Sequence, residues 1–241
     1  MKPDLVKRTI VDGDIVAYRC AFSTEGKPLQ KLHEKIDSFM GYILDSTLDF
    51  SNGDDFPVYI TGSGNFRFDY GVTYPYKGNR SPGAAPRYLP TARQYLMDNY
   101  SAVMSHGEEA DDLIAIDATK HDSETTVVAS IDKDMKQIPC WHYNFVTGDW
   151  HKTEPFGGLV FFYTQILTGD NVDNIKGLHR VGPKKAAKIL EGKKDELSLY
   201  NACIEAYDGN VDRVIENARL LWLRRYEGQI WEPPTERKED E

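Results

Sequence analysis

The chain has 241 residues, enough to bury one large core or a domain with a smaller companion. It is 40% hydrophobic and 28% charged, with no apolar run near the about 18 residues of a membrane helix, so a membrane-spanning protein is not expected. Its net charge of −9 argues at first sight against a nucleic-acid partner.

The amino terminus, MKPDLVKRTI, is charged and runs straight into strand-like residues, so no signal peptide is expected. RTIVDGDIVAY reads as a buried strand ending at Asp12-Gly13-Asp14, then a helix. Leu29, Leu32, Ile36, Phe39, Met40, Ile43 and Leu44 follow helical spacing. SNGDD is a loop, and PVYITG (57–62) a second strand. Residues 63–90 hold Gly, Pro, Arg and aromatics without a steady period. A helix over about 90–97 and an acidic helix from about Glu109 follow. TTVVASI (125–131) is a third buried strand and WHYNFV (141–146) a further candidate. Strand alternating with helix indicates an α/β fold with a largely parallel sheet, whose ligands gather outside the carboxyl ends of the strands. After about Pro155 the segments GLVFFYTQILTG, GPKKAAKILEG, ELSLYNACIEAY and VDRVIENARLLWLRRY all read as helices. Residues 233–241 lack an apolar anchor and read as a frayed tail. Cys20, Cys140 and Cys203 fit neither a disulfide framework nor a zinc spacing, which points to the cytoplasm.

Residues 108–112, EEADD, place four carboxylates in five positions. Acids in a first helical turn each gain about 0.3–1 kcal/mol from the macrodipole, a sufficient reason for one or two but not four. Further acids sit at Asp12, where the first strand ends, at Asp132 and Asp134 in SIDKDMKQIP, and at Asp170 and Asp173 in LTGDNVDNIKG. Extended backbone would put Asp132 and Asp134 on one face. Two carboxylates about 4 Å apart repel by about 4 kcal/mol at an effective dielectric of 20, so a dense cluster calls for cations. Carboxylate oxygens without His or Cys favour Mg²⁺ or Mn²⁺, and a pair of such ions serves in-line phosphodiester hydrolysis. Setting aside Asp12, Glu109, Asp111, Asp112, Asp132, Asp134, Asp170 and Asp173 leaves 30 acids against 29 Lys and Arg. A local basic face is therefore allowed.

Two segments could hold a polyphosphate. GLHRVGPKKAAKIL reads as helix, glycine hairpin, helix, with Gly182 at the turn, Pro183 at the first helical position and Lys184, Lys185 and Lys188 beside exposed N–H groups. FRFDYGVTYPYKGNRSPGAAPR interleaves Arg67, Lys77, Arg80 and Arg87 with Phe66, Phe68, Tyr70, Tyr74, Tyr76 and Tyr88, a mix suited to single strands. Lys77 and Arg80 stand out, at the tip of a glycine turn.

IVDGD (10–14), YKGNR (76–80), EADD (109–112), SIDKDMKQIP (130–139) and GDNVDNIKGLHRVGPKKAAKIL (169–190) together resemble the phage and bacterial 5′ nuclease family of 5′→3′ exonucleases and flap endonucleases, most of all those of T-odd phages. The resemblance implies a PIN-like parallel-sheet nuclease domain (1–154) with a helical arch at about 74–100. It further implies a helical region (155–232) whose helix–three-turn–helix (about 165–191) tracks duplex DNA with a bound monovalent cation, K⁺. It assigns Glu109, Asp111 and Asp112, with Asp12 near them, to a first Mg²⁺ or Mn²⁺, and Asp132, Asp134, Asp170 and Asp173 to a second. Lys77 and Arg80 would act catalytically on the phosphate under attack, while Arg67, Tyr76, Gly182, Lys184 and Lys185 would contact DNA. The expected partner is DNA with 5′ ends, overhangs or flaps, and RNA/DNA primers are admissible; a monomer is the default. Two departures stand out. Gly62 occupies a place where relatives carry a ligand Asp, so a DNA-binding protein with weakened catalysis is the alternative. Arg180 stands where many relatives have Gly.

Overall fold

The protein is described by a computed structural model covering residues 2–48, 55–80, 83 and 85–235. Residues 51–54 of the expected loop, 81, 82 and 84 of the expected arch, and 236–241 of the expected tail lie outside the described residues.

In chain order the elements are β1 (Arg8–Asp12), α1 (Gly13–Ser23), α2 (Leu29–Thr47), β2 (Val58–Ser63), α3 (Arg67–Tyr70), α4 (Leu89–Tyr100), β3 (Val103–His106), α5 (Ala110–Lys120), β4 (Thr126–Ala129), a 3₁₀ turn (Lys133–Gln137), β5 (Trp141–Asn144), β6 (Asp149–Lys152), α6 (Pro155–Thr168), β7 (Gly169–Asp170), β8 (Ile175–Lys176), α7 (Pro183–Leu190), α8 (Glu196–Ala206) and α9 (Val211–Leu221). They form two compact units. One comprises Met1–Asn65, Pro82–Thr153 and Arg225–Glu227; the other comprises Phe66–Ser81, Glu154–Arg224 and Gly228–Glu241.

The first unit is the α/β one. Its sheet runs β3-β2-β1-β4-β5-β6, with every neighbouring pair parallel except the β5–β6 hairpin. Ile10, Val11, Val127 and Val128 are buried because parallel strands are covered on both faces. On α2 the buried Leu32, Ile36, Met40 and Ile43 recur at helical spacing, each worth about 1.5–3 kcal/mol of burial. The strand order reverses between β1 and β4, with Val11 opposite Ala129. That switch point opens a crevice at the carboxyl ends of the two strands, where Asp12 and the 130–132 segment emerge. At the other end of β1, Arg8 forks onto Asp117 at 2.7–2.8 Å, and Tyr59 donates its hydroxyl proton to the same carboxylate at 2.6 Å.

Two strands of the sheet fall outside the elements expected from sequence. VMSH (103–106) is an edge strand only four residues long, and DWHK (149–152) closes a hairpin through Gly148, whose φ is +76°. The expected arch divides differently. Residues 89–100 form a helix docked on α1 and α2: Tyr95 and Tyr100 donate to Asp37, Tyr95 stacks on His33, and Tyr88 donates to the Lys27 carbonyl. Residues 74–80 belong to the other unit.

That second unit is helical. Its core joins Phe162, Tyr163, Ile166 and Leu167 of α6 to Ala186, Leu190, Leu199, Cys203, Val214 and Ala218. Segment 66–81 belongs here because Arg67 is buried and donates to the carbonyls of Leu220 and Trp222 at 2.9 and 2.8 Å, at the end of α9. All three cysteines are buried thiols without a disulfide, and among the described residues no helix is long and apolar enough to cross a membrane.

Candidate metal centre

Asp12 ends β1 and caps α1, its Oδ1 accepting the Ile15 N–H at 3.1 Å. Its Oδ2 accepts the Ser130 hydroxyl proton at 2.6 Å, and Ser130 Oγ accepts the Asp132 N–H at 2.9 Å. One hydroxyl thus ties the end of β1 to the residue just beyond β4. Asp12 is 2% exposed. Burial, opposed by the Ser130 and Ile15 hydrogen bonds and aided by the charges of Asp14 and Asp132, pushes its carboxyl up to about 7.

The acidic stretch begins α5. Glu109 is its N-cap and forms a capping box with Asp112, whose Oδ2 accepts the Glu109 N–H at 3.2 Å. Asp112 is fully buried. The Ala110 N–H is given to Thr61 Oγ1 at 2.9 Å, which pins the start of α5 to the end of β2. Asp111 points into this group. Loss of solvation, then the charges of Asp12, Asp132, Glu109 and Asp112, hold its carboxyl well above the usual range. Asp132 and Asp134 do not share one extended segment as expected: Asp132 is itself extended (φ −72°, ψ 129°), but the chain then enters the 3₁₀ turn, which Asp132 caps by accepting the Asp134 N–H at 2.8 Å. The turn swings Asp134 toward Lys133, which pairs with it at 2.9 Å.

Among the described residues, no three His, Cys, Asp or Glu side chains converge on one ion position. Several acids are instead turned onto backbone N–H groups. In charge and donor type the group nevertheless fits a hard divalent ion: the donors are carboxylate oxygens, and one acid is faced by four others.

In the helical unit a second group of charges forms. Asp170 Oδ1 accepts the N–H groups of Val172 and Asp173 at 2.7 and 3.3 Å, closing a turn after α6. Asp173 accepts from Arg80 at 2.7 Å and from the Tyr76 hydroxyl at 3.0 Å, with Lys77 Nζ at 3.9 Å. The turn of YKGNR is left-handed at Lys77, φ +54°, and its backbone N–H is held by the Asp173 carbonyl at 2.9 Å. Three expectations need correction. Arg67 is spent on the Leu220 and Trp222 carbonyls, so it faces no DNA. Tyr76 is 4% exposed with its hydroxyl on Asp173, so it offers no stacking face. In the hairpin before α7 the left-handed residue is Arg180 (φ +60°), whereas Gly182 is extended and has open space where a Cβ would sit. Lys184 and Lys185 are exposed at that helix start, and Lys188 is exposed in the last turn.

No protein-family model matches the chain. It is 33% identical over 150 residues to the flap endonuclease Xni of Aeromonas hydrophila, covering 54% of each protein. A second Xni, from Vibrio campbellii, is 32% identical over 162 residues, covering 60% of this chain and 62% of that one. DNA polymerase I of Rhizobium leguminosarum is 30% identical over 147 residues, 54% of this chain and 14% of the polymerase. Over that shared part the chain is similar to the 5′ nuclease and flap endonuclease family. The match spans about half the length of its Xni relatives. In fold it is similar to the bacteriophage T5 D15 protein co-crystallised with metal ions (TM-score 0.66, 20% identity, 89% of this chain and 88% of that one). It is also similar to a complex of the T5 D15 flap endonuclease with DNA and metal ions (TM-score 0.65, 18% identity, 89% and 88%).

Position 62, where the resemblance implies a ligand Asp, has no room for a side chain. A Cβ on Gly62 would lie 2.1 Å from the Ser105 carbonyl oxygen and 2.7 Å from Met104 Cγ, where β2 and β3 shift register. Its N–H is already given to Ser105 Oγ at 3.1 Å. No side chain fits there without moving β3. A carboxylate reaches the same strand end by another route. Asp14 Oδ2 accepts the Thr61 N–H at 2.9 Å while its Oδ1 pairs with Arg93 at 2.6 Å. Gly13 permits this, because a Cβ there would meet Tyr59 O and Ile60 Cγ2 at 2.7 Å. Asp14 is not among the acids expected from sequence, although the Asp-Gly-Asp spacing signals it.

Proposed function

We propose that this chain is a divalent-metal-dependent 5′ nuclease that hydrolyses phosphodiester bonds near the 5′ ends of DNA, as a 5′→3′ exonuclease and structure-specific flap endonuclease. The observation that carries the reading is Asp111, faced by Asp12, Asp132, Glu109 and Asp112 at the carboxyl edge of a parallel sheet. In this reading Asp12, Glu109, Asp111, Asp112, Asp132 and Asp134 hold Mg²⁺ or Mn²⁺ in the α/β unit, with Asp14 standing in for the side chain that Gly62 cannot carry. Bound ions lower the pKa of water and neutralise charge on the reacting phosphate. Asp170 and Asp173 are the acids of the helical unit that match the family pattern.

The chain's other groups bind and orient. Lys77 and Arg80 face Asp173, and the same cations neutralise a phosphate that approaches them. Ser130 and the Ile15 N–H fix the orientation of Asp12, so its oxygens need no reorganisation when an ion arrives. Lys184 and Lys185, exposed beside the α7 N-terminus, suit the backbone of a duplex, with K⁺ at the preceding turn. Phage replication or related DNA metabolism is the setting this reading suggests.

The test is a 5′-labelled duplex carrying a short 5′ single-stranded arm, incubated with Mg²⁺, with Mn²⁺ and with EDTA. Release of mononucleotides or short 5′ fragments in metal, absent in EDTA, supports the nuclease. Binding without cleavage in either metal favours the second reading, a DNA-structure binder whose catalysis was weakened at Gly62.

A further inference from the structure

The α/β unit carries a groove that none of this chemistry uses. On α1, Ile15, Tyr18, Arg19 and Phe22 recur at three- and four-residue spacing and so form one stripe. On α2, Lys31, Lys35 and Phe39 do the same. The α1 stripe with Lys35 and Phe39 lines a cavity of about 630 Å³, together with Cys20, Ser23 and Ile131. A second cavity of about 380 Å³ continues it past Ser23 and Lys35 to Lys27 and Lys31.

Three properties define what fits this groove. Tyr18 and Phe22 are 49% and 69% exposed, yet lie parallel, with centroids 6.4 Å apart and planes 8° apart. Large rings held in register in water are stacking surfaces without an occupant of their own. The walls are cationic: Arg19, Lys35, Lys31 and Lys27 stand against one lining acid, Glu34, which pairs with Lys31 at 2.5 Å. Arg19 and Lys35 both bear on the Cys20 thiol at the groove floor. In a chain of net charge −9, a cationic run of this kind is a local arrangement. Finally, two lining residues are chain neighbours of the candidate metal centre: Ile15 follows Asp14 and Ile131 precedes Asp132.

We propose that the groove between α1 and α2 is a track for unpaired nucleotides, which grips the single-stranded arm of a DNA substrate by stacking bases on Tyr18 and Phe22 and holding phosphates with Arg19, Lys35 and Lys31. Aromatic faces take any base and cations follow the backbone, so the track is indifferent to sequence and sensitive to salt. Its length suits a few nucleotides: α1 has 11 residues, about 16 Å at 1.5 Å per residue. The proposal rests on the nuclease reading and adds to it where the arm runs.

The experiment compares two duplexes by fluorescence anisotropy, in Ca²⁺ so that binding is read without turnover. One is blunt; the other carries an eight-nucleotide 5′ dT arm. For the unaltered protein the arm tightens binding. Phe22→Ala with Arg19→Ala removes about tenfold or more of that gain and leaves blunt-duplex affinity unchanged. Lys35→Glu gives the same selective loss, and thermal unfolding confirms that both variants are folded. An arm-dependent gain that survives both variants overturns the track, as does an equal loss on both duplexes. No gain from the arm in the unaltered protein also overturns it while leaving duplex recognition intact. Failure to bind either duplex refutes instead the nuclease reading beneath it.

Discussion

Placing aspartate at position 62 restores the family's side chain on paper, and the structure sets against it. Any Cβ there meets the Ser105 carbonyl oxygen at 2.1 Å, about 1 Å inside ordinary contact, and the obstacle is backbone. Relief requires β2 and β3 to separate at the point where Gly62 N–H bonds Ser105 Oγ. Overpacking of this kind costs about 1–3 kcal/mol, and a weakened hydrogen bond adds about 1 kcal/mol. For a protein of this size, about 2–4 kcal/mol lowers the melting temperature by roughly 4–16 °C. Gly62→Ala carries the steric cost alone, and Gly62→Asp adds a charge next to the Thr61 N–H that Asp14 holds. The expected order of melting temperature in EDTA is therefore native above Gly62→Ala above Gly62→Asp. Calorimetry with and without Mg²⁺ reads both effects, since an added ligand would let Mg²⁺ recover part of the loss in the Asp variant only. A Gly62→Ala protein as stable as the native one would refute the steric argument and reopen the position to a carboxylate.

Three further outcomes follow from the same geometry. Asp111→Asn removes one charge from a group of five, so it should raise the melting temperature in EDTA while abolishing both Mg²⁺-dependent stabilisation and cleavage; lower stability in EDTA would mean that the acids hold the fold. Burial keeps His142 neutral, its Nε2 on the Ile138 carbonyl at 2.9 Å and its folded value lowered from 6.5 to about 3. Because the folded value is the depressed one, its stabilisation is full above about pH 6.5 and is lost as pH falls toward 3, by about 2 kcal/mol between pH 7 and 5. Urea midpoints of the native protein should drop more over that interval than those of His142→Asn, and parallel drops would remove His142 as the cause. Lys184→Ala with Lys185→Ala should weaken duplex binding and flatten the slope of log affinity against log salt by about two; an unchanged slope would take that turn off the contact surface.

Local pattern carried much of the fold. The apolar run of β1, the single stripe of α2 and the carboxylates opening α5 each depend on neighbours a few residues away, and each formed about where periodicity and capping rules put it. The acids were legible for the same reason: charge repulsion between adjacent carboxylates is a property of sequence. VMSH and DWHK were not legible, because four-residue strands are stabilised by the partners they pair with and not by their own pattern.

Burial at long range was decided only in three dimensions. Arg67 and Tyr76 look like surface residues of a basic, aromatic loop, but α9 and Asp173, each roughly a hundred or more residues further on, offer the carbonyls and the carboxylate that bury them. Gly62 is empty because a backbone oxygen 43 residues away occupies the space, and Asp14 reaches that strand end because Gly13 lets α1 start against β2. Residue types along the chain establish which side chains are chemically able to bind cations and phosphate. Which of them face one another was settled by packing, since close approach between distant segments leaves no periodic trace along the chain.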